Sequence, residues 1–562
     1  MVNRVEGSPG TGTVGKQRRG RHAARRSRQG SGGLARSSAL MALGTVASRA
    51  TGLIRLVLQG AALGPALVAT TYNTANTVPM SLYALLIGGA LNAAFVPQLV
   101  RARMEHADGG RAHEQRLMTL VLCVLGVGTV AAVLAAPQIV GLYLPDSPAT
   151  HAAFQLTVVF ARFLLPQIFF YGLSTVLGQL LNVREKFGAV TWTPVLNNVV
   201  LITLFGLYLG LLTVPDSVQE VTPAQVRLLG IGTTIGIALQ AFALVPYLRE
   251  TGFRWRPRFD WRGVGLRKSV SAARWTLLFV LANQAALMVV THYANAADLA
   301  LPQAGVGNTA YSYAQTIWTL PQSIVTVSLI TALLPRLSRA GAEQRLDAVR
   351  DDLSRALRVT GVVIVPSAFF FLLFGPQITT LLFAHGAADP SSTRPMGHML
   401  QALALGLIPF SAQFLLLRGF YAFEDARTPF WMAVWIAAFN IALATTCHFL
   451  LPTRWAVTGM AAAYGVSYSI GLLITAQRLR SRMAGRLDGK RLSRTYGKLT
   501  AAAAAAGLAG WAATHMLTTA TSAPTWGPLI ALAAGGGVML ALFVLLARMF
   551  RVSELQSLPG MR

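Results

Sequence analysis

Four arginines stand where arginine is costly. Arg49 and Arg55 lie in the apolar run SALMALGTVASRATGLIRLVLQGAALG, Arg162 in VVFARFLLPQ and Arg418 in FLLLRGFYAF. A cationic side chain at the centre of a bilayer costs at least ~2.5 kcal/mol on insertion scales, so each needs a partner or a water-filled space. Counted along a helix from Ser38, Arg49 and Arg55 fall roughly 16 and 25 Å in. That is too deep for both to snorkel to one surface. Six residues of separation is about 120° around the axis, so the pair can line a wide cavity without sharing one stripe. The chemistry on offer is anion recognition, because a guanidinium matches two oxygens of a phosphate or pyrophosphate at once. The competing reading has these arginines bonded to helix-end carbonyls or lipid phosphates. It weighs less for Arg49 and Arg55, and more for Arg162 and Arg418; Arg162 stays a candidate.

Polar amides accompany them: Asn73, Asn76 and Asn92 in the second apolar block, Asn197 and Asn198 in the fifth, Asn283 and Gln284 in the seventh. Such groups more often join helices than touch ligands; Asn73 and Asn76 are carried as candidate substrate contacts. All twenty Asp and Glu fall between the apolar blocks or in the tails. A carboxylate relay for protons or sodium inside the membrane is therefore not expected. Hydrolysis or glycosyl transfer by a carboxylate pair lacks candidates for the same reason. No nucleotide-binding P-loop, HExxH or supported GxSxG is present. Cys123 and Cys447 both sit in apolar blocks, with no disulfide or metal-ligand spacing. No catalytic residue, metal or cofactor is expected.

The elements that must hold these groups follow from hydropathy. The chain is 54% hydrophobic and 12% charged, with a mean hydropathy of +0.52; a soluble protein carries about twice that charge. Apolar blocks at about 38–62, 68–98, 115–143, 152–182, 188–212, 226–248, 270–294, 305–335, 359–384, 397–422, 428–451, 455–477, 497–519 and 526–548 are long enough to span ~30 Å as helices. The fold class expected is all-α polytopic, with about fourteen spans. Lys and Arg crowd every second connection, while 63–67, 144–151, 213–225, 295–304 and 520–525 have none. By the positive-inside rule both termini are cytoplasmic and the protein is multi-pass in the plasma membrane. The net charge of +28 thus marks topology rather than nucleic acid. The Arg- and Trp-rich stretch 251–269 reads as an interfacial connector. Residues 1–37 form a basic cytosolic tail able to touch anionic lipids; a signal peptide is the weaker alternative.

The sequence also repeats. FVPQLVRA at 95–102 is echoed by LLPRLSRA at 333–340, and LLNVREKF at 180–187 by GFYAFEDA at 419–426, at an offset of 238 to 239 residues. Two copies of an even-numbered bundle make parallel repeats, with substrate between them. The division expected is an N-lobe at 38–250 with helices 1–6, a C-lobe at 251–490 with helices 7–12, an added pair at 491–549 and a cytosolic tail at 550–562. Pro79, Pro166, Pro321 and Pro409 should bend their helices.

SRATGLIRLVLQGAALG with YNTANTVPMSLYALLIGGALNAAFVPQLVRA resembles the first two helices of the MurJ/MviN family, the lipid II flippases of the multidrug/oligosaccharidyl-lipid/polysaccharide exporter superfamily. LNVREKFGAVTWTPVLNN, VSLITALLPRLSRA and GFYAFEDARTPF resemble its later signatures. The resemblance implies alternating access, with an undecaprenyl-pyrophosphate-linked peptidoglycan precursor moved from inner to outer leaflet. Its headgroup would sit by Arg49 and Arg55, and its tail in a groove of helices 13 and 14, where AAAAAAGLAG at 501–510 is compatible. Implied partners are this lipid-linked glycan and cell-wall synthesis proteins. The sequence departs at an acid expected near the start of helix 2, here Thr70 or Thr71. It departs also at a charge farther along, here Tyr83 or Ala84, and at an eighth-helix arginine, near Thr316. Another lipid-linked glycan, a drug or cation antiporter, and a non-transporting scaffold are the alternatives.

Overall fold

The computed structural model describes residues 43–65, 67–85, 110–184, 186–215, 217–260, 266–483, 487–520 and 527–557, and these carry no strand. In chain order the helices are α1 (43–63), α2 (Leu67–Tyr83), α3 (Arg111–Leu134, extended by Ala136–Gly141) and α4 (His151–Val183). There follow α5 (Phe187–Leu211), α6 (Pro223–Glu250), α7 (Leu266–Ala300), α8 (Asn308–Pro321 and Val327–Ala342) and α9 (Leu346–Phe383). The last are α10 (Pro390–Ala404 and Leu407–Ala422), α11 (Arg427–Leu450), α12 (Thr453–Arg482), α13 (Gly489–Ala520) and α14 (Gly527–Met549). Among the described residues nine helices are long and apolar enough to cross a membrane, or ten if the bent pair of α10 is one span. The protein is an all-α multi-pass membrane protein.

Proline and polar punctuation shape the spans. Pro166 sits at the break inside α4, and Pro321 closes the first piece of α8, where a π-turn at Gln322–Thr326 follows. The two pieces of α10 meet at 49°, just ahead of Pro409. A proline lacks the N–H of one ladder bond and crowds the preceding turn, so the helix bends there. Two helix starts are capped by side chains: Thr222 and Gln225 form a reciprocal capping box on α6. Asp389 accepts from the Ser392 backbone N–H at 2.8 Å at the start of α10. That bond holds the Asp389 carboxyl below the usual range.

The apolar side chains gather into cores that follow the chain halves. One collects Tyr72, Phe160, Leu164, Phe205 and Tyr208, with a neighbour around Val176, Leu177, Leu180 and Leu244. Another collects Trp318, Phe374, Phe383, Met460 and Ala502, with a neighbour around Leu353, Leu416 and Leu479. Leu56 of α1 belongs to the core of the second half, so α1 lies along the seam. Lipid tails are as apolar as these side chains, so close helix packing rather than water exclusion holds the spans together. Small residues permit it. A Cβ on Gly510 would stand 2.4 Å from the Gly535 carbonyl oxygen, so α13 and α14 cross at backbone contact. The run at 501–510, expected to line a groove, buries Ala502, Ala503 and Ala506 completely in the core built around α9. Its small residues serve helix packing, and only its other face, with Leu508 and Trp511, is exposed.

The chain end is tied back to this second half. Arg358 of α9 donates through Nε to Glu554 Oε1 at 2.6 Å, and its Nη1 reaches Ser354 Oγ at 2.6 Å and Asp488 Oδ2 at 3.3 Å. Burial pushes the Glu554 carboxyl up, but its backbone amide, Arg358 and Ser553 outweigh that and hold it below the ordinary 4.5. The clasp is therefore complete at neutral pH and is lost only as pH falls through the depressed folded value. Glu554→Ala leaves the buried Arg358 with one carboxylate and should cost about 3 kcal/mol. A lowered thermal midpoint in detergent, with early proteolytic loss of the last residues, checks this; an unchanged midpoint would dismiss the clasp.

Candidate functional site

The site is built where α1, α2, α7 and α8 meet. α1 is fixed against α5, because Asn198 Nδ2 donates to the Ser48 carbonyl at 3.0 Å and to Thr51 Oγ1 at 3.1 Å. At its other end Gly60 packs on the rings of Phe383 and Tyr313. Arg49 is exposed and Arg55 half-buried, and neither has an ion-pair or hydrogen-bond partner among the described residues. The Arg55 Nε is itself buried without an acceptor. Its guanidinium acts electrostatically on the Tyr72, Tyr171 and Tyr313 hydroxyls, drawn from α2, α4 and α8. Asn76 is half-buried with a buried Oδ1 that has no donor. A guanidinium without a partner among the described residues, close to tyrosine hydroxyls, is arranged for an oxyanion, which would accept from both.

The other expected positions disperse. Arg162 stands with Gln155 and Val159 on the exposed face of α4, away from the buried face of Phe154, Val158 and Ala161, and without a partner. Arg418 is sandwiched by rings, its guanidinium carbon 4.6 Å from the Phe414 centroid and 5.6 Å from that of Tyr421. Tyr83 donates or accepts with Thr175 at 2.6 Å and packs on Tyr171, so its side chain serves bundle packing. Thr316 is exposed and bonds back to Ser312. Asn283 bonds the Phe279 carbonyl within its own helix. Asn92 lies outside the described residues.

Asn73 belongs to a seam instead. Gln59 Nε2 donates to Asn73 Oδ1 at 2.7 Å, and Asn73 Nδ2 donates to Thr309 Oγ1 at 3.0 Å. Thr309 and Thr70 share a bond of 2.9 Å. Those threonines are 239 residues apart, the offset of the internal repeat, and equivalent residues can meet only on the axis relating the copies. Thr70 donates in turn to Asp298 Oδ2 at 2.5 Å, and the Asn308 backbone N–H reaches the same oxygen at 3.0 Å. Thr74 links Asn295 at 3.1 Å and Asn308 at 3.2 Å.

Asp298 corrects the expectation that no carboxylate lies in a helix. It is in the last turn of α7 and fully buried. The sequence places the apolar block's end at 294, whereas the helix runs to Ala300 because Thr70, Asn308 and Thr74 satisfy its polar residues. The signal available beforehand was the spacing of Asn295 and Asp298, one turn apart on a shared face. Backbone contacts extend the seam: Ala387 N–H donates to the Ala61 carbonyl at 2.8 Å and Leu67 N–H to that of Pro302 at 3.1 Å. Gly386, at φ +64°, would place a Cβ 2.4 Å from the Ala61 oxygen. These contacts close the charge-poor end, next to a cavity of about 820 Å³ lined from both halves by Val68, Ala149, Leu299, Gln303 and Asp389.

A family model described as lipid II flippase MurJ matches residues 60–534. A Rhizobium meliloti (strain 1021) protein named "Probable lipid II flippase MurJ" is 30% identical over 443 residues, covering 76% of this chain and 77% of its own. A Burkholderia cenocepacia protein named "Lipid II flippase MurJ" is 26% identical over 444 residues, covering 78% and 82%. Among solved structures, a lipid II flippase MurJ in its inward closed conformation superposes with a TM-score of 0.70 at 19% identity, covering 91% of this chain and 99% of that one. An inward-facing multidrug resistance MATE family transporter gives 0.59 at 15% identity, covering 78% and 95%. The two structures share the fold, and with the family model spanning most of the sequence the chain belongs to the MurJ family of lipid II flippases.

Proposed function

We propose that this protein moves a lipid-linked, pyrophosphate-bearing peptidoglycan precursor, lipid II, from the inner to the outer leaflet. The observation that carries the reading is Arg55: a guanidinium inside a membrane helix, with a buried unpartnered Nε and three tyrosines around it, in a chain of this family. Among the described residues no carboxylate pairs with it, so its charge suits an anionic headgroup entering between the halves. Arg49 on the same helix extends the site, Asn76 offers an acceptor, and Arg162 guides the anion along α4. The reading needs no cofactor and no bond making, only two access states around one site. The closed charge-poor end fits one of them.

Sidedness follows from charge. The basic connections and both termini face the cytosol, so the closed seam faces outward. Topology reporters fused at residues 147 and 485 should read outside and inside; one side for both would overturn the model. The basic tail adds attraction for anionic leaflets, and cell-wall synthesis proteins are the natural partners of a precursor exporter. The direct test is reconstitution. Purified protein in vesicles should expose lipid II to an externally added glycan-modifying enzyme faster than empty vesicles do. Depletion in cells should leave the precursor on the cytosolic leaflet. No acceleration, with the precursor still externalised after depletion, would end the proposal.

A further inference from the structure

The seam contains a group that substrate binding does not use. Asp298 has no solvent exposure, and its Oδ1 has no donor within hydrogen-bond geometry among the described residues. Its other oxygen takes one hydroxyl, from Thr70, and one backbone N–H, from Asn308. The Gly307 backbone N–H also acts on the carboxyl; a few neutral donors do not replace the hydration of an ionised carboxylate, and a buried charge needs a counter-charge or must be neutralised. The groups packed around it are Thr70 and Thr74 from α2, Asn295 from its own helix, and Asn308 and Thr309 from α8. All are neutral, and no Lys, Arg or His acts on it among the described residues.

The repeat sharpens the point. The residue 239 positions before Asp298 is Gln59, whose side chain meets Asn73 on the same seam. A neutral amide meets the need on one side of the pseudo-axis; the other side carries an acid. The acid also comes from the opposite half of the chain to the acid that the resemblance implies near the start of α2, at Thr70 or Thr71, and Thr70 is here its donor. Gly307 packs directly on the carboxyl, where a Cβ would lie 2.0 Å from the Asp298 carboxyl carbon.

We infer that Asp298 takes up a monovalent cation, a proton or a sodium ion, whenever the seam closes, so that closing the charge-poor end is cation-dependent. Either ion neutralises the carboxylate. A proton would give Oδ1 a hydroxyl, while sodium would take oxygens from Asp298, Thr70 and Thr309, the hard ligands such ions prefer. Val68 and Leu299, near Thr70 and Asp298 in the chain, line the 820 Å³ cavity beside the seam, which gives the ion a way in. Asp389 on the same cavity is held ionised by the Ser392 amide and would draw cations there. When the seam opens, Thr70 leaves with α2 while Asp298 stays with α7 and α8, and the carboxylate regains water and releases its ion. The link to a transport cycle rests on the function proposed above; ion binding at the seam does not.

The test reads the seam directly. Ala149 and Gln303 face the cavity from opposite halves and take spin labels, with Cys123 and Cys447 replaced by Ser. Label distances in lipid nanodiscs are followed in two arms: falling pH without sodium, and rising sodium at fixed alkaline pH. One arm should raise the closed-to-open ratio about tenfold per tenfold rise in that ion. A response only to pH assigns the proton, one only to sodium assigns sodium, and either supports the site. Asp298→Asn should stay closed and ignore both ions, whereas Thr70→Val should keep the slope and shift the midpoint. Wild type insensitive to both ions, a wild-type slope in Asp298→Asn, or loss of slope in Thr70→Val would overturn the inference. Wild-type protein that responds to the ion yet flips no lipid would instead sink the transport reading.

Discussion

Arg55→Ala should abolish flipping in reconstituted vesicles while the protein still folds and inserts. Among the described residues Arg55 carries no ion pair whose loss would unfold the bundle, and its Nε is buried without an acceptor. Truncating one member of a desolvated, hydrogen-bonded charge pair costs about 2–5 kcal/mol, which is roughly 30- to 4,000-fold in occupancy of the anion-bound state. Arg55→Lys should recover only part of this, because an ammonium is a point charge and loses the two-pronged contact with a pyrophosphate. Arg49→Ala should reduce transport less, since Arg49 is exposed and its contacts compete with water. Arg162→Ala should have the smallest effect of the three. Transport is measured as precursor accessibility from outside, with native-like thermal unfolding as the control for folding. Full activity of Arg55→Ala would remove the guanidinium from the mechanism.

The second large effect comes from a glycine. Gly386 adopts φ +64°, and its Cβ would fall 2.4 Å from the Ala61 carbonyl oxygen. Ala at this position adds about 1–2 kcal/mol of left-handed strain. It also sets a methyl group against backbone from the other half, which flexible side-chain motion cannot relieve. Separating the seam relieves it, at the loss of the Ala387 N–H bond to Ala61. A total near 3 kcal/mol depletes the closed state roughly a hundredfold, and a carrier that rarely closes at one end rarely completes its cycle. Gly252→Ala is the matched control, because Gly252 has φ +77° with open space where its Cβ would be. It should retain most activity. Gly386→Ala behaving like Gly252→Ala would mean that the seam does not limit transport.

Much of this molecule is legible without coordinates, for local reasons. A span is a local property, since twenty or so apolar residues bury their own backbone bonds in hydrocarbon wherever the rest of the chain lies. The alternation of basic and charge-poor connections is likewise written in composition, and so is the repeat. Arg49 and Arg55 stand out because a charge in an apolar block conflicts with its surroundings whatever the tertiary structure. Pro166, Pro321 and Pro409 mark breaks because the missing N–H is a property of the residue itself.

The polar seam was not legible, because its meaning lies in pairs far apart in sequence. Asn73 reads as a possible ligand contact until Gln59 and Thr309 take its amide. Thr70 reads as a lost charge until Asp298 meets it across 228 residues. Asp298 itself reads as a loop residue, since hydropathy counts a carboxylate as an end to an apolar block. Only neighbours from α2 and α8 make a helical, fully buried position possible for it. The small-residue run at 501–510 shows the same limit: alanine and glycine permit close approach without saying to what, and here the answer is α9 and α14. The sequence determined which segments cross the membrane and which charges are out of place, because solvation acts on each segment alone. The tertiary structure decided which polar groups satisfy one another, because a hydrogen bond needs both partners within about 3 Å and chain order does not encode that distance.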